Sequence, residues 1–218
     1  MKTDSEIQLD VIEALKWDPS VTHQHIGVAV SEGIVTLTGT IPSYIEKFAA
    51  EKAAQRVGGV KAVVEKMEVK LAGAHERDDE DIAKAIVSQF AWNVQLPKDA
   101  VKVRVQKGWV DLSGEVEWEY QRTAAATGAR NVTGVKGVSN NVTIKAKTIQ
   151  PEVVKHKIEE ALKRLAEREA RRIGVEVRGS KVILSGEVHS ARELNDANWA
   201  AWSAPGVTSI ENHLRVVG

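Results

Sequence analysis

The chain has 218 residues, 43% of them hydrophobic and 28% charged, with 30 basic and 30 acidic side chains. A formal charge of zero removes any global electrostatic drive toward nucleic acid or an anionic membrane. The absence of cysteine excludes a disulfide framework, thiolate catalysis and cysteine-ligated metal.

Met1 to Glu6 is polar and runs directly into an amphipathic pattern, without the apolar segment of a secretory signal. These residues predict a cytoplasmic chain, or a periplasmic one if this is a trimmed mature form. No stretch approaches the roughly 20 apolar residues of a membrane-spanning helix. Ile7, Val11 and Leu15 recur at i, i+4 and i+8, which predicts a helix with one buried face. Thr3 with Glu6 reads as a capping box and Asp4 as an N-cap. The period-two run Ile26, Val28, Val30 predicts a half-buried strand, and Ser31-Glu32-Gly33 a turn. Val35 and Leu37 then pair back as a hairpin, closed by Gly39. A second helix, from about Ser43 to Val57, carries Ala50 and Ala53 on its inner face, so that it lies close on its neighbours. Gly59 ends it, and residues 63–69 supply a third strand.

The same order then recurs twice. Val35-Thr36-Leu37-Thr38-Gly39 returns as Val110-Asp111-Leu112-Ser113-Gly114 and Val182-Ile183-Leu184-Ser185-Gly186, with the closing glycines 75 and then 72 residues apart. Gly59, Gly134 and Gly206 each follow 20 residues on, and each precedes a valine. Ile82, Ile86 and Phe90, then Val154, Ile158 and Leu162, repeat the helical stripe. Asp79 reads as a further N-cap, and Pro151 suits a first helical turn. Val101, Val103 and Val105, then Ile173, Val175 and Val177, repeat the first strand. Second helices follow from Glu119 to Val132 and from Ala191 to Ala204. The expected fold class is α+β: three tandem α-β-β-α-β modules over residues 1–72, 78–147 and 150–218, each a three-stranded sheet with two helices packed on one face. Gly39, Gly114 and Gly186, with Gly59, Gly134 and Gly206, are read as structural turn glycines, the first three letting the chain either turn or pass close to another backbone. In the third copy Gly179 precedes Ser180, one place earlier than Gly33 and Gly108, so that hairpin turn is expected to differ.

The paired phrases, V-x-L-[TS]-G and the Gly-Val twenty residues on, resemble the BON (bacterial OsmY and nodulation) domain family in an OsmY-like tandem of three copies covering nearly the whole chain. The resemblance implies a non-enzymatic module, associated with osmotic and envelope stress, that binds phospholipid surfaces or partner proteins. Repetition itself points the same way, because an active site needs one unrepeated constellation whereas tandem copies multiply a surface.

Candidate sites lie where the copies differ. Trp199 falls opposite Lys52 and Thr127, and Trp202 opposite Gln55 and Arg130. Positions polar in two copies face outward, so the two indoles form one apolar patch, which either packs against another repeat or meets an external partner. Trp17 and Trp92 share the end of the first helix, where the third copy has Arg164. An indole there either dips into a lipid interface or caps the small core from the side. Arg164, Arg168, Arg171 and Arg172 belong to a basic run, interleaved with glutamates, that reads as a solvated face or an anion-binding patch. Trp109 and Trp118 match no aromatic in the other copies. His23 and His25 are close, but no further ligand completes a metal spacing. No catalytic motif, metal site or cofactor is expected. The expected partners are anionic phospholipid or a protein, not nucleic acid; the oligomeric state is left open.

Overall fold

The computed structural model describes residues 2–70, 77–145, 150–165, 173–188 and 191–216, without the side chains of 163, 165, 191 and 192. The first repeat is α1 (Asp4–Trp17), β1 (Ile26–Ser31), β2 (Ile34–Ile41), α2 (Tyr44–Gln55) and β3 (Ala62–Val69). The second is α3 (Asp79–Trp92), β4 (Val101–Gln106), β5 (Trp109–Val116), α4 (Glu119–Arg130) and β6 (Gly137–Ile144). The third is α5 (Pro151–Leu165), β7 (Ile173–Arg178), β8 (Lys181–Val188), α6 (Ala191–Trp202) and β9 (Ser209–Val216). The α-β-β-α-β order of the sequence is the order of the structure.

Each repeat holds one three-stranded sheet, ordered β1-β2-β3, β4-β5-β6 and β7-β8-β9. The hairpin pairs antiparallel, from Ile26 opposite Gly39 to Ser31 opposite Ile34. The third strand lies parallel to the second, from Ile34 beside Ala62 to Ile41 beside Val69. A parallel neighbour requires a crossover, and α2 is that crossover. The third repeat keeps the register, with Ile173 opposite Gly186 and Lys181 beside Ser209.

The chain forms two compact units: Met1–Trp92 with Val103–Asp111 and Ala126–Ser139, and Asn93–Lys102 with Leu112–Ala125 and Asn140–Gly218. In the first, Ile7, Val11 and Leu15 of α1 meet Val35 and Leu37 of β2 and the alanines Ala50, Ala53 and Ala54 of α2 in one core. In the second, Val154, Ile158 and Leu162 of α5 meet Val182, Leu184, Ala197, Ala200 and Ala201 in the matching arrangement. The part of the second repeat that lies in the first unit varies the theme. Gly128 replaces Ala53 and Ala200, and a Cβ there would lie 3.2 Å from the Phe90 ring, so a larger residue on the first helix is matched by a smaller one on the second.

Two local devices tie these elements. Thr3 caps α1 in a capping box with Glu6, and the Thr3 N–H and hydroxyl hold the Glu6 carboxyl below its ordinary range. Asp4 and Asp79 are not the caps; Thr3 is the cap of α1, and Asp78 fills that role for α3, accepting the Asp81 N–H at 2.7 Å. One residue into the helix, the Asp4 carboxylate turns instead to the β1–β2 hairpin and accepts the N–H groups of Glu32 and Gly33 at 2.7 and 2.9 Å. Asp79 does the same for Lys107 and Gly108, at 2.7 and 2.8 Å. Both central residues of these two turns are left-handed: Glu32 φ 54, Gly33 φ 77, Lys107 φ 53 and Gly108 φ 78. That is the hairpin geometry that suits strand twist. The third hairpin differs as expected. Gly179 (φ 59) carries its left-handed place, Pro151 stands where the aspartates stand, and the Ser180 hydroxyl accepts the Thr208 hydroxyl at 2.9 Å, while the backbone bond from Thr208 N–H to the Ser180 carbonyl matches those of Lys61 to Gly33 and Lys136 to Gly108.

Gly39, Gly114 and Gly186 lie within β2, β5 and β8, with φ of 130, 131 and 124, so that of the two expected roles Gly39 and Gly114 serve the close approach to another backbone and not a turn. A Cβ on Gly39 would overlap the His25 carbonyl oxygen, and one on Gly114 the Ala100 oxygen. Gly59, Gly134 and Gly206 (φ 98, 103 and 85) do follow the second helices, and the first two leave room for Ile7 and Ile82. Replacing Gly39 by alanine is therefore expected to cost about 3 kcal/mol or more, strain and backbone collision together. Urea unfolding followed at the first repeat checks this, with Gly58→Ala, which meets nothing within 4 Å, as the neutral control.

Candidate functional site

The second helix of each repeat is buried through its alanines, which leaves its far end and the end of the first helix as the walls of a shallow groove. In the first repeat the groove holds about 370 Å³ and is lined by Ala14, Trp17, Asp18, Pro19, Ala53, Arg56 and Val57. In the third it holds about 540 Å³, floored by Ala161, Ala200 and Ala204, with His156, Lys157, Glu160 and Arg164 on the α5 side and Trp199 and Ser203 on the α6 side. The two grooves occupy equivalent positions, but the tryptophan and the arginine change places: Trp17 comes from the first helix and Arg56 from the chain after the second, whereas Arg164 comes from the first helix and Trp199 from the second. Small residues form the floor because the helix pair packs through them, and the apolar ring over that floor is left in water.

Electrostatics separates the pair. In the first groove Asp18 opposes Arg56, and the Ser20 hydroxyl and N–H, at 2.5 and 3.0 Å, hold the Asp18 carboxyl below its usual range. In the third, Lys157 and Arg164 with His156 face a single acid, Glu160. The third groove is the more cationic one.

The tryptophans divide accordingly. Trp17, Trp92 and Trp199 are 81, 86 and 65% exposed. Trp202 is partly buried against the core of its own repeat, with the Arg122 guanidinium 5.5 Å above its ring. Trp199 and Trp202 thus do not make one patch: one faces solvent, the other lies against the core and α4. Arg164 is exposed at the groove, and Arg168, Arg171 and Arg172 lie outside the described residues. Trp109 lies on a sheet, and the Trp118 N–H is bound by the Gln121 side chain at 3.1 Å.

Sequence comparison alone missed a second arginine contact. Within the first unit, Arg130 of α4 sits 4.0 Å from the centre of the Phe48 ring on α2, with Lys52 at 5.5 Å. Arg130 is the positional equivalent of Trp202, so each later repeat docks the same helical position on the second helix of the repeat before it, once as cation and once as arene. A search for aromatic and cationic residues at outward helical positions flags Phe48 and Arg130, but not that they meet.

Among the described residues, the buried polar side chains are Glu46 and Gln121, at the same place in two repeats. Both serve backbone groups: Glu46 accepts the Thr22 N–H at 2.5 Å, and Gln121 those of Glu117 and Trp118. No group of three His, Asp or Glu residues that could hold a metal occurs among the described residues. No described helix is long and apolar enough to cross a membrane. The arrangement presents surfaces, and the buried side chains of Glu46 and Gln121 are already engaged in holding the fold.

A sequence model of the BON domain matches residues 3–70, 78–146 and 152–218. Osmotically-inducible protein Y of Escherichia coli (strain K12) is 31% identical over 151 residues, spanning 65% of this chain and 73% of that protein. Among solved structures, CdsD, a structural protein of the type III secretion system of Chlamydia trachomatis, aligns at a TM-score of 0.25 with 15% identity over 97% of this chain and 92% of that one. The periplasmic domain of the type III secretion inner membrane protein PrgH from S. typhimurium aligns at 0.23 with 9% identity over 88% and 94%. Both structural scores are too low to bear on this chain.

The Arg122–Trp202 contact carries an energetic expectation. A double-mutant cycle of Arg122→Ala and Trp202→Ala, read by urea unfolding, is expected to give a coupling of about 0.5 to 1 kcal/mol; additive losses would mean that the two groups are neighbours without interaction.

Proposed function

Because the chain belongs to the BON domain family, we propose that it is a non-enzymatic, stress-associated binding protein whose third repeat docks on anionic phospholipid surfaces, or on an envelope-associated protein. The stress association rests on the likeness to a protein named as osmotically inducible. The observation that carries the binding reading is the third groove: an indole 65% exposed above an alanine floor, with Lys157 and Arg164 on the facing wall. An indole fits the boundary between acyl chains and head groups, and each cation nearby adds about 1 kcal/mol toward an acidic surface. Trp17 and Trp92, more exposed still, give the other two repeats weaker contacts of the same kind, and tandem attachment raises avidity without new chemistry.

A second reading, a scaffold whose modules pack on one another, draws on the contacts of Arg130 with Phe48 and of Arg122 with Trp202. The two readings are compatible, since neither contact uses Trp199.

Co-sedimentation with phosphatidylglycerol vesicles is expected to bring the full chain down, and phosphatidylcholine vesicles to leave it in solution. Trp199→Ala and Arg164→Ala are each expected to weaken binding by roughly fivefold, and the deficit of Arg164→Ala is expected to shrink as salt is raised while that of Trp199→Ala persists. Equal indifference to both lipids removes the lipid reading.

A further inference from the structure

We propose that the open face of the second repeat's sheet is a carbohydrate platform, with the Trp109 indole as the surface on which a sugar ring of a neutral oligosaccharide stacks. Trp109 opens β5 and Gly137 opens β6, and both point away from the helices. Gly137 is nevertheless buried, because the six-membered ring of Trp109 lies across it: a Cβ on Gly137 would overlap three atoms of that ring. The indole Nε1–H donates to Ser139 Oγ at 3.0 Å. The ring is thus held flat at two points, and Trp109 remains 48% exposed.

This is a coordinated arrangement and not a lone aromatic. At the same three positions the first repeat has Ile34, Ala62 and Val64, and the third has Lys181, Ser209 and Glu211, where Lys181 and Glu211 form an ion pair. Each repeat keeps the sheet with a different complementary trio, and only Trp, Gly and Ser leave a flat π-surface open to solvent. The apolar C–H face of a pyranose gains dispersion contact on such a ring. A ring already immobilised loses no rotamer freedom on binding.

The neighbouring groups suit hydroxyls. Gln106 precedes Trp109 across the two-residue hairpin turn, and the exposed Arg104 on β4 donates to Gln106 Oε1 at 3.3 Å. Asp111, on β5, is partly exposed two residues beyond Trp109. Planar amide, guanidinium and carboxylate groups make paired hydrogen bonds with vicinal hydroxyls. Arg104 and Asp111 oppose in charge, and β4 adds one further exposed cation, Lys102, which falls short of the run of cations that a single-stranded nucleic acid, the other stacking ligand, requires.

The test is an indole N–H NMR titration of the full chain with the tetramer of N-acetylglucosamine, with cellotetraose and with a decathymidylate. One of the tetrasaccharides is expected to shift the Trp109 resonance saturably and leave the Trp199 resonance in place. The variant Trp109→Ile/Gly137→Ala/Ser139→Val, which carries the first repeat's own trio and so preserves the sheet, is expected to abolish the binding, as read by calorimetry. Arg104→Ala is expected to weaken it by roughly fivefold, the loss of one hydrogen bond. The proposal is overturned if neither sugar moves the resonance up to its solubility, if binding survives the triple variant, or if only the decathymidylate acts.

Discussion

A glycine in the middle strand passes so close to the chain entering the first strand that no side chain fits between them. At Gly39 the obstacle is the carbonyl oxygen of His25, at Gly114 that of Ala100, and the φ values near 130 suit glycine alone. Everything above the sheet depends on this closeness. It fixes the register in which Val28 lies opposite Leu37 and Val30 opposite Val35, and a slip of one residue would turn the whole apolar row to water. With the register fixed, the helix stripes meet the sheet, the alanines of the second helix are buried, and the helix ends are left as groove walls.

The repeats share that frame and diverge on its surfaces. The helical grooves exchange tryptophan for arginine between the first and third repeats. The contacts between helices of successive repeats exchange cation for arene, Arg130 over Phe48 and Arg122 under Trp202. The open sheet faces carry an aliphatic, an indole or an ionic trio. Since the frame is held by backbone bonds and small residues, these surfaces are free to change without loss of the core, and a tandem of such modules gathers distinct contacts in one chain.

Much of the frame was legible in the residues. Ile7, Val11 and Leu15 have the spacing of a buried stripe and are buried to within 3%, because local periodicity and burial report the same face. Thr3 with Glu6 was legible for the same reason, as all its bonds are local. What could not be read is what acts across distance in the chain. Asp4 looks like a cap, yet bonds a turn 28 residues away. Trp199 and Trp202 are three apart and share a face by counting, but packing against α4 and the core claims one and leaves the other. Nothing local in the sequence singles out Gly137; its pairing with Trp109 emerges only once β5 and β6 are known to be neighbours.

The central claim is that a common frame exposes Trp199 and shelters Trp202, so that membrane contact is made by one indole of the third repeat and not the other. Two variants, each with Trp199 or Trp202 as the only tryptophan, decide it through fluorescence with phosphatidylglycerol vesicles whose acyl chains are brominated. The account predicts strong quenching of Trp199 and little change at Trp202. Equal quenching of both, or none at Trp199, would contradict it.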